Sequence, residues 1–408
     1  MDKLIFVNAR VIDGTGAKPY MATVRVEGGR ISSVRRPAQS GEASLEGENA
    51  RRIDLQGRTL MPGLINAHIH IMMDAGPDPL TSNKPENLPS IIVKAAGRGA
   101  AILRAGITTA RDLGGFMFGE LALREAFRSG EMPGPRLLCA GKIITMTGGH
   151  GWHIGIEADG ANEVRKAARE NLKRGADCIK IMATGGVLTP GVEPGATQLG
   201  EEEIRAGVDE AHKVGKRTAS HAQGTEGIKN AIRAGIDTIE HGIFLDEESI
   251  EMMVQRGVVL VPTLAAPYQI VKAGEAGGIP AYAVEKSKRV VDAHMKSFEW
   301  AVKSGVTVAA GNDGGTPFNR SDDLITEMRL LSEGGLGPMG AIRAATFGSA
   351  RALGLVEETG TISANKWADI IVLEEGADPL SDINSLNKVW MVIKEGVVKV
   401  DGERNKAS

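Results

Sequence analysis

Only eight of the 408 residues are histidine, and four of these stand where imidazoles can converge. His68 and His70 close an apolar run, PGLINAHIH. In a strand, residues i and i+2 project to one face, so both rings can reach a single metal ion. Chance would place only about 0.16 such pairs in a chain of this composition. His221 and His241 each lie six residues beyond a glycine, Gly215 and Gly235, in consecutive copies of one repeated pattern. A lone histidine is more often a satisfied core group, but four at equivalent strand ends make a candidate metal cluster. Lys180 sits in the apolar strand IKIM, which cannot carry a charged ammonium without a partner. Either a neighbouring acid such as Asp112 pairs with it, or its pKa is lowered and the neutral amine adds CO₂. The carbamate so formed is a bidentate anion able to bridge two cations. Asp313, in AAGNDGG, can bind a metal and exchange a proton with metal-bound hydroxide. A turn aspartate ahead of two glycines is the plainer alternative.

These residues need elements that bring them to one place. The segments LRAGITTARD, LKRGADCIK, HKVGKRTASH, IRAGIDTIEH, VQRGVVLVPT and VKSGVTVAAGND repeat a helix end, a glycine and an apolar strand ending in a polar residue. The glycine suits the left-handed position just past a helix. Helices alternating with short apolar strands predict a parallel sheet covered on both faces. Adding 59–70 and 135–141 gives eight strands, the number of a (β/α)₈ TIM barrel, whose active site is built at the C-terminal strand ends. The competing open sheet lacks a G-x-G-x-x-G after an early strand. Residues 3–60 and 360–400 instead alternate like antiparallel strands, with turns at Gly28–Gly29 and Glu395–Gly396. The expectation is an α/β chain with a composite β-sandwich from 1–60 and 355–408 and a barrel over 61–354.

Composition excludes other classes. Hydrophobic residues make up 42% and charged residues 24% of the chain, an ordinary globular balance. A net charge of −3, from 48 basic and 51 acidic residues, gives no electrostatic basis for binding nucleic acid or an anionic membrane. The first apolar run is broken by Asn8 and Arg10, so no signal peptide is expected. Two cysteines make no disulfide framework, and a reducing cytoplasm is the expected setting. Neither Cys139 nor Cys178 is placed as a nucleophile.

PGLINAHIH, the strand residue Lys180, SHAQG, IEHG and AAGNDGG together resemble the binuclear amidohydrolase superfamily. The resemblance covers nearly the whole chain, including the terminal β segments. It implies that His68, His70 and Asp313 bind the more buried of two divalent ions and that His221 and His241 bind the other. A Lys180 carboxylated by CO₂ and a hydroxide would bridge them, and zinc suits the ligands. It further implies attack by the bridging hydroxide on a C–N bond, with Asp313 moving the proton to the leaving amine. KIMATGGVLTPG, TGGHG and GTISANKWADIIVL resemble the imidazolonepropionase-related branch, which includes Xaa-Pro dipeptidases and carboxypeptidases cutting before Arg or Lys. The expected activity is prolidase-like dipeptidase, carboxypeptidase or N-acyl amino acid hydrolase. The alternative is a hydrolase or deaminase of a cyclic or xenobiotic amide, such as a mycotoxin or phenylurea amidohydrolase. His150, in TMTGGHGWH, is assigned to catalysis and to the substrate carbonyl or carboxylate. Tyr268 and Arg320 are candidates for gripping a substrate carboxylate, and the Gly/Pro-rich stretch 184–198 is a candidate lid. The expected partner is a small-molecule amide or dipeptide, within a homo-oligomer.

Overall fold

The structure is a computed structural model that describes residues 3–37, 50–79 and 84–402. Parts of the expected sandwich segments, 1–2, 38–49 and 403–408, lie outside the described residues. The chain opens with alternating strands β1 (Lys3–Val11), β2 (Tyr20–Glu27) and β3 (Arg30–Arg35), paired antiparallel. Gly28 and Gly29, at φ 60° and 81°, make the two-residue turn between β2 and β3, the mirror-image geometry that matches strand twist. β4 (Ala50–Asp54) and β5 (Thr59–Pro62) run parallel to β1.

At Gly63 the chain leaves this sheet. The sequence suggested one strand over 59–70, whereas the structure divides it into β5 and the first barrel strand, β6 (Leu64–Ile69). The break follows from packing. A Cβ at Gly63 would fall 2.2 Å from Thr108 Oγ1, so only glycine lets the backbone pass so close to the next barrel strand.

Seven further positions complete the barrel. β7 (Ile107–Asp112) pairs parallel with β6, and β8 (Arg136–Cys139) with β7. Two short strands absent from the sequence reading follow, β9 (Ile143–Thr145) and β10 (Gly155–Glu157). β9 continues the wall beyond β8 and joins β11 (Cys178–Met182) through Ile144 and Ile181. β12 (Arg217–Ala222), β13 (Thr238–His241) and β14 (Val259–Val261) extend the parallel order. The eighth position is an extended segment rather than a regular strand. Ala309 N–H donates to Leu260 O at 2.9 Å, and Ala67 N–H donates to Ala310 O at 2.9 Å, closing the ring onto β6. The repeat glycines Gly106, Gly175, Gly215, Gly235, Gly257 and Gly305 all have φ between 67° and 93°, as the αβ pattern requires.

The chain returns to the terminal sheet through β15 (Ile370–Leu373), β16 (Val389–Lys394) and β17 (Val397–Asp401). β15 pairs antiparallel with β5, so both termini build one sheet. Phe6, Val24, Leu60, Ile370 and Met391 form a core there, separate from the larger barrel core. No helix of the described residues is long and apolar enough to cross a membrane.

Candidate active site

The C-terminal ends of the barrel strands carry the expected residues. His68 lies on β6 with His70 just past its end, Lys180 on β11, His221 on β12, His241 at the end of β13, and Asp313 beyond the eighth segment. All six line one cavity with His150. His241 and Asp313, with Thr263 just past the seventh barrel strand, have positive φ values of 76°, 56° and 55°. Non-glycine residues adopt this conformation at a cost of about 1–3 kcal/mol, a strain concentrated at functional sites. Here it falls at the ends of the sixth, seventh and eighth positions of the wall, beside the cavity.

Each imidazole has one nitrogen engaged away from the centre. His68 donates Nδ1–H to Glu240 Oε2 at 2.8 Å, and His70 donates Nδ1–H to Gly114 O at 3.1 Å. Their Nε2 atoms each lie 3.3 Å from Asp313 Oδ1. Thr263 gives its hydroxyl hydrogen to Pro262 O, so its Oγ1 accepts Nδ1–H of His241 at 2.6 Å. His221 donates Nε2–H to Gly185 O at 3.1 Å, which leaves its Nδ1 as the free nitrogen. The rings of His221 and His241 are 4.4 Å apart, and those of His68 and His241 5.5 Å. Outward hydrogen bonds that fix the tautomer are characteristic of metal-ligating histidines.

The electrostatics agree. Burial holds His68, His221 and His241 well below the ordinary imidazole range, so all three rings are neutral. Burial also works to lower His70, but hydrogen bonding and charge from Asp313 outweigh it, and its pKa is raised. Burial would raise Asp313, yet the nearby His68 and His70 hold its carboxyl below the usual range. Burial pulls Lys180 down to about 8, leaving part of the amine neutral near physiological pH. The ligand atoms of His68, His70 and Asp313 all lie within 4.8 Å of one another, a spacing that one divalent cation can bridge.

His150 also lines the cavity, its ring 4.5 Å from that of His221. Its Nδ1 meets Thr189 Oγ1 at 2.8 Å, which ties it to the Gly/Pro-rich loop. The two candidate carboxylate grips lie elsewhere. The Arg320 guanidinium is captured by Asp322, two residues on, through contacts of 2.9 and 2.6 Å, and its side chain is 70% exposed. Tyr268, on the helix Ala265–Ala273, turns its ring toward Arg329 and Lys272. Neither side chain lines the cavity.

Sequence reasoning passed over the groups behind the ligands. Glu240 is fully buried and accepts from His68, from Arg111 at 2.9 Å and from Thr238 at 2.5 Å. Arg111 is itself 1% exposed. The signal was present: charged residues inside the apolar strands ITTARD and TIEH need partners. Asn312 is held by Asn66, Asn319 and the Arg320 carbonyl, which fixes the turn that carries Asp313. His294 supports the same wall by donating to His241 O at 3.0 Å.

With this geometry in place, similarity to known proteins is informative. The profile of the amidohydrolase family matches residues 59–399. This chain belongs to that family. It is accordingly a hydrolase of carbon–nitrogen bonds. The ochratoxinase of Aspergillus niger is 31% identical to this amidohydrolase over 354 residues, which is 79% of this chain and 71% of that protein. A solved Xaa-Pro dipeptidase with methionine bound in its active site matches with a TM-score of 0.87 at 30% identity, covering 98% of this chain and 100% of that one. A prolidase complexed with N-methylphosphonate-L-proline matches at 0.87 and 29%, with coverage of 98% and 100%.

Proposed function

We propose that this amidohydrolase is a binuclear, zinc-dependent hydrolase of small-molecule amides. The observation that carries the reading is the convergence of four tautomer-fixed histidines, Asp313 and Lys180 on one cavity. His68, His70 and Asp313 would hold one cation, and His221 and His241 the other. Lys180, its pKa drawn to about 8, can present a neutral amine to CO₂. The product is a carbamate with release of one proton, and its two oxygens would span the pair. When bound, such cations polarise the scissile carbonyl as Lewis acids and bring water's ionisation into the neutral range.

The chain's own groups supply the rest. Asp313 turns Oδ1 toward Nε2 of His68 and His70, and its other oxygen would take the proton of the attacking water. It then delivers that proton to the departing nitrogen as the C–N bond breaks. Thr189 Oγ1 accepts the Gly151 N–H at 3.1 Å and meets His150 Nδ1 at 2.8 Å. With the hydroxyl hydrogen turned to Nδ1, His150 would carry its ring hydrogen on Nε2 and offer it to the substrate's carbonyl oxygen. The similarity to the Xaa-Pro dipeptidase supports a dipeptide or N-acyl amino acid as substrate, and the similarity to ochratoxinase supports a non-peptide amide. Cys139 and Cys178 are buried free thiols, in keeping with a cytoplasmic setting.

Elemental analysis of protein produced with added zinc tests the reading. Two metal ions per chain, both lost on chelation together with activity, are expected; one ion or none overturns it. In Lys180→Ala, activity should vanish and recover in part with small carboxylic acids, whereas retained activity would rule out the carbamate.

A further inference from the structure

The lining of the cavity outside the candidate cluster and His150 is mostly apolar. Met73, Leu113, Ile143, Ile154, Met182 and Leu188 line it, with Thr316 and Gly151. They come from several separate strand ends and loops, so the character of the wall does not depend on one segment. Five of the six lie outside the stretch 184–198. Met73 and Met182 are flexible, polarizable side chains that adapt to varied apolar shapes.

Met117, Trp152 and Phe318, in segments that follow barrel strands, are large apolar side chains 45%, 44% and 42% exposed. Among the described residues lining the cavity, Lys180 and Asp313 are the basic and acidic side chains apart from the histidines, and both belong to the proposed metal cluster. The side chains expected to grip a carboxylate point away, Arg320 onto Asp322 and Tyr268 toward Arg329. Beyond the metal cluster and His150, a terminal carboxylate on the substrate would therefore meet mainly aliphatic and thioether groups of the lining. Burying an ion without a partner is strongly unfavourable.

We infer that the amide hydrolysed here is uncharged on both sides of the C–N bond and carries alkyl or aryl groups on its acyl and amine parts. This rests on the reading of the site as an amide hydrolase. It narrows that reading away from dipeptides and N-acyl amino acids with a free carboxylate. The reaction adds water across the bond, giving a carboxylic acid and an amine.

Matched pairs differing only in a carboxylate test it, using the full chain with its metal content measured. One pair is N-phenylbutanamide and 4-(butanoylamino)benzoate; the other is N-(2-phenylethyl)butanamide and N-butanoyl-L-phenylalanine. The neutral member of each pair should show a kcat/KM at least about tenfold higher, a difference of about 1.4 kcal/mol. Equal or faster cleavage of the carboxylates overturns the inference and leaves amide hydrolysis standing. So does cleavage of dipeptides with no release of amine from the neutral pair. If the two-metal protein cleaves no amide at all, the underlying reading falls as well. Leu188→Lys places a cation in the wall on a partly exposed loop, and should narrow the neutral-to-carboxylate ratio at least about fivefold. An unchanged ratio in a folded, metal-loaded variant would show that this wall does not set the preference.

Discussion

At the scale of single residues, the site shows how a charge is made tolerable in a barrel interior. The four histidines and Asp313 were legible because their types are rare and their spacing follows the strands. Glu240 and Arg111 were not, because one residue of a buried ion pair looks like any other charge until its partner is known. Glu240 fixes which nitrogen of His68 faces the centre, so Glu240→Gln should loosen that choice and leave Arg111 without its counter-charge. Metal affinity and kcat are expected to fall by about 10–100-fold, measured by metal titration of the chelated protein, with little change in KM. Unchanged affinity would reduce Glu240 to a packing role. Glu120 is a second buried carboxyl, fully inaccessible, with neither oxygen hydrogen-bonded among the described residues. Burial, aided by Asp112, pushes it up to about 8 from an ordinary 4.5. Between those values the folded state keeps a proton that the unfolded chain has released, so stability falls as pH rises across that window. Glu120→Gln removes this dependence. Its melting temperature should match the wild type near pH 5 and exceed it increasingly toward pH 8, and an advantage independent of pH would contradict the argument.

At the scale of elements, the repeat of helix, glycine and strand was readable because backbone geometry demands it, and the αβ glycines adopt the expected φ. Tertiary pairing determined the rest. Thr59–Pro62 has the same apolar character as Leu64–Ile69, and only pairing with β1 and β15 assigns it to the other sheet. The candidate lid, 184–198, is fastened rather than loose. Lys286, 6% exposed on the helix Ala281–Lys303, donates to Thr189 O at 2.9 Å and also to Val192 O. Tyr282 donates from its hydroxyl to Leu188 O at 2.9 Å, and Arg289 pairs with Glu193 at 2.9 Å. The cavity, which Leu188 of this stretch helps to line, holds about 50 Å³, against roughly 300–1,000 Å³ for small-molecule sites, so the fastening of this loop bears on access. Lys286→Met keeps the apolar stem and removes the donor. Amide exchange across 184–198 should then quicken by at least about tenfold while β11 and β12 are unchanged, as hydrogen exchange with mass spectrometry would show. Equal protection would mean that the loop is held from elsewhere.

At the scale of the whole molecule, the terminal sheet meets the barrel through apolar side chains such as Met61, Ile371, Leu373 and Val392, and through buried polar contacts. Its existence could be read from two alternating segments and two hairpin turns, but its attachment could not, because the contacts join residues more than two hundred positions apart. Arg136 on β8 lies between Asp369, at 2.5 Å, and Glu395, at 2.5 Å, with Trp367 stacked 3.6 Å from its guanidinium carbon. Asp369 is buried, and its carbonyl also accepts the N–H of Gly63, where the chain passes between the two sheets. Both neighbouring carboxylates, acting against burial, raise the pKa of Arg136, so its charge persists at any working pH. Asp369→Ala would leave that cation half-compensated in the interface and vacate the hydrogen bond to the Glu395 N–H. Removing one member of a buried pair costs roughly 3–5 kcal/mol. In Glu395→Ala, where the partner is 48% exposed, the loss should be no more than about 1 kcal/mol. Denaturant unfolding monitored by tryptophan fluorescence separates the two, since Trp367 and Trp390 both belong to the terminal sheet region. If the Asp369 variant unfolds that region at lower denaturant while the barrel transition is unmoved, the sheet is a separable unit. A single transition shifted as a whole would show that sheet and barrel stand or fall together, and comparable losses in the two variants would refute the argument from burial.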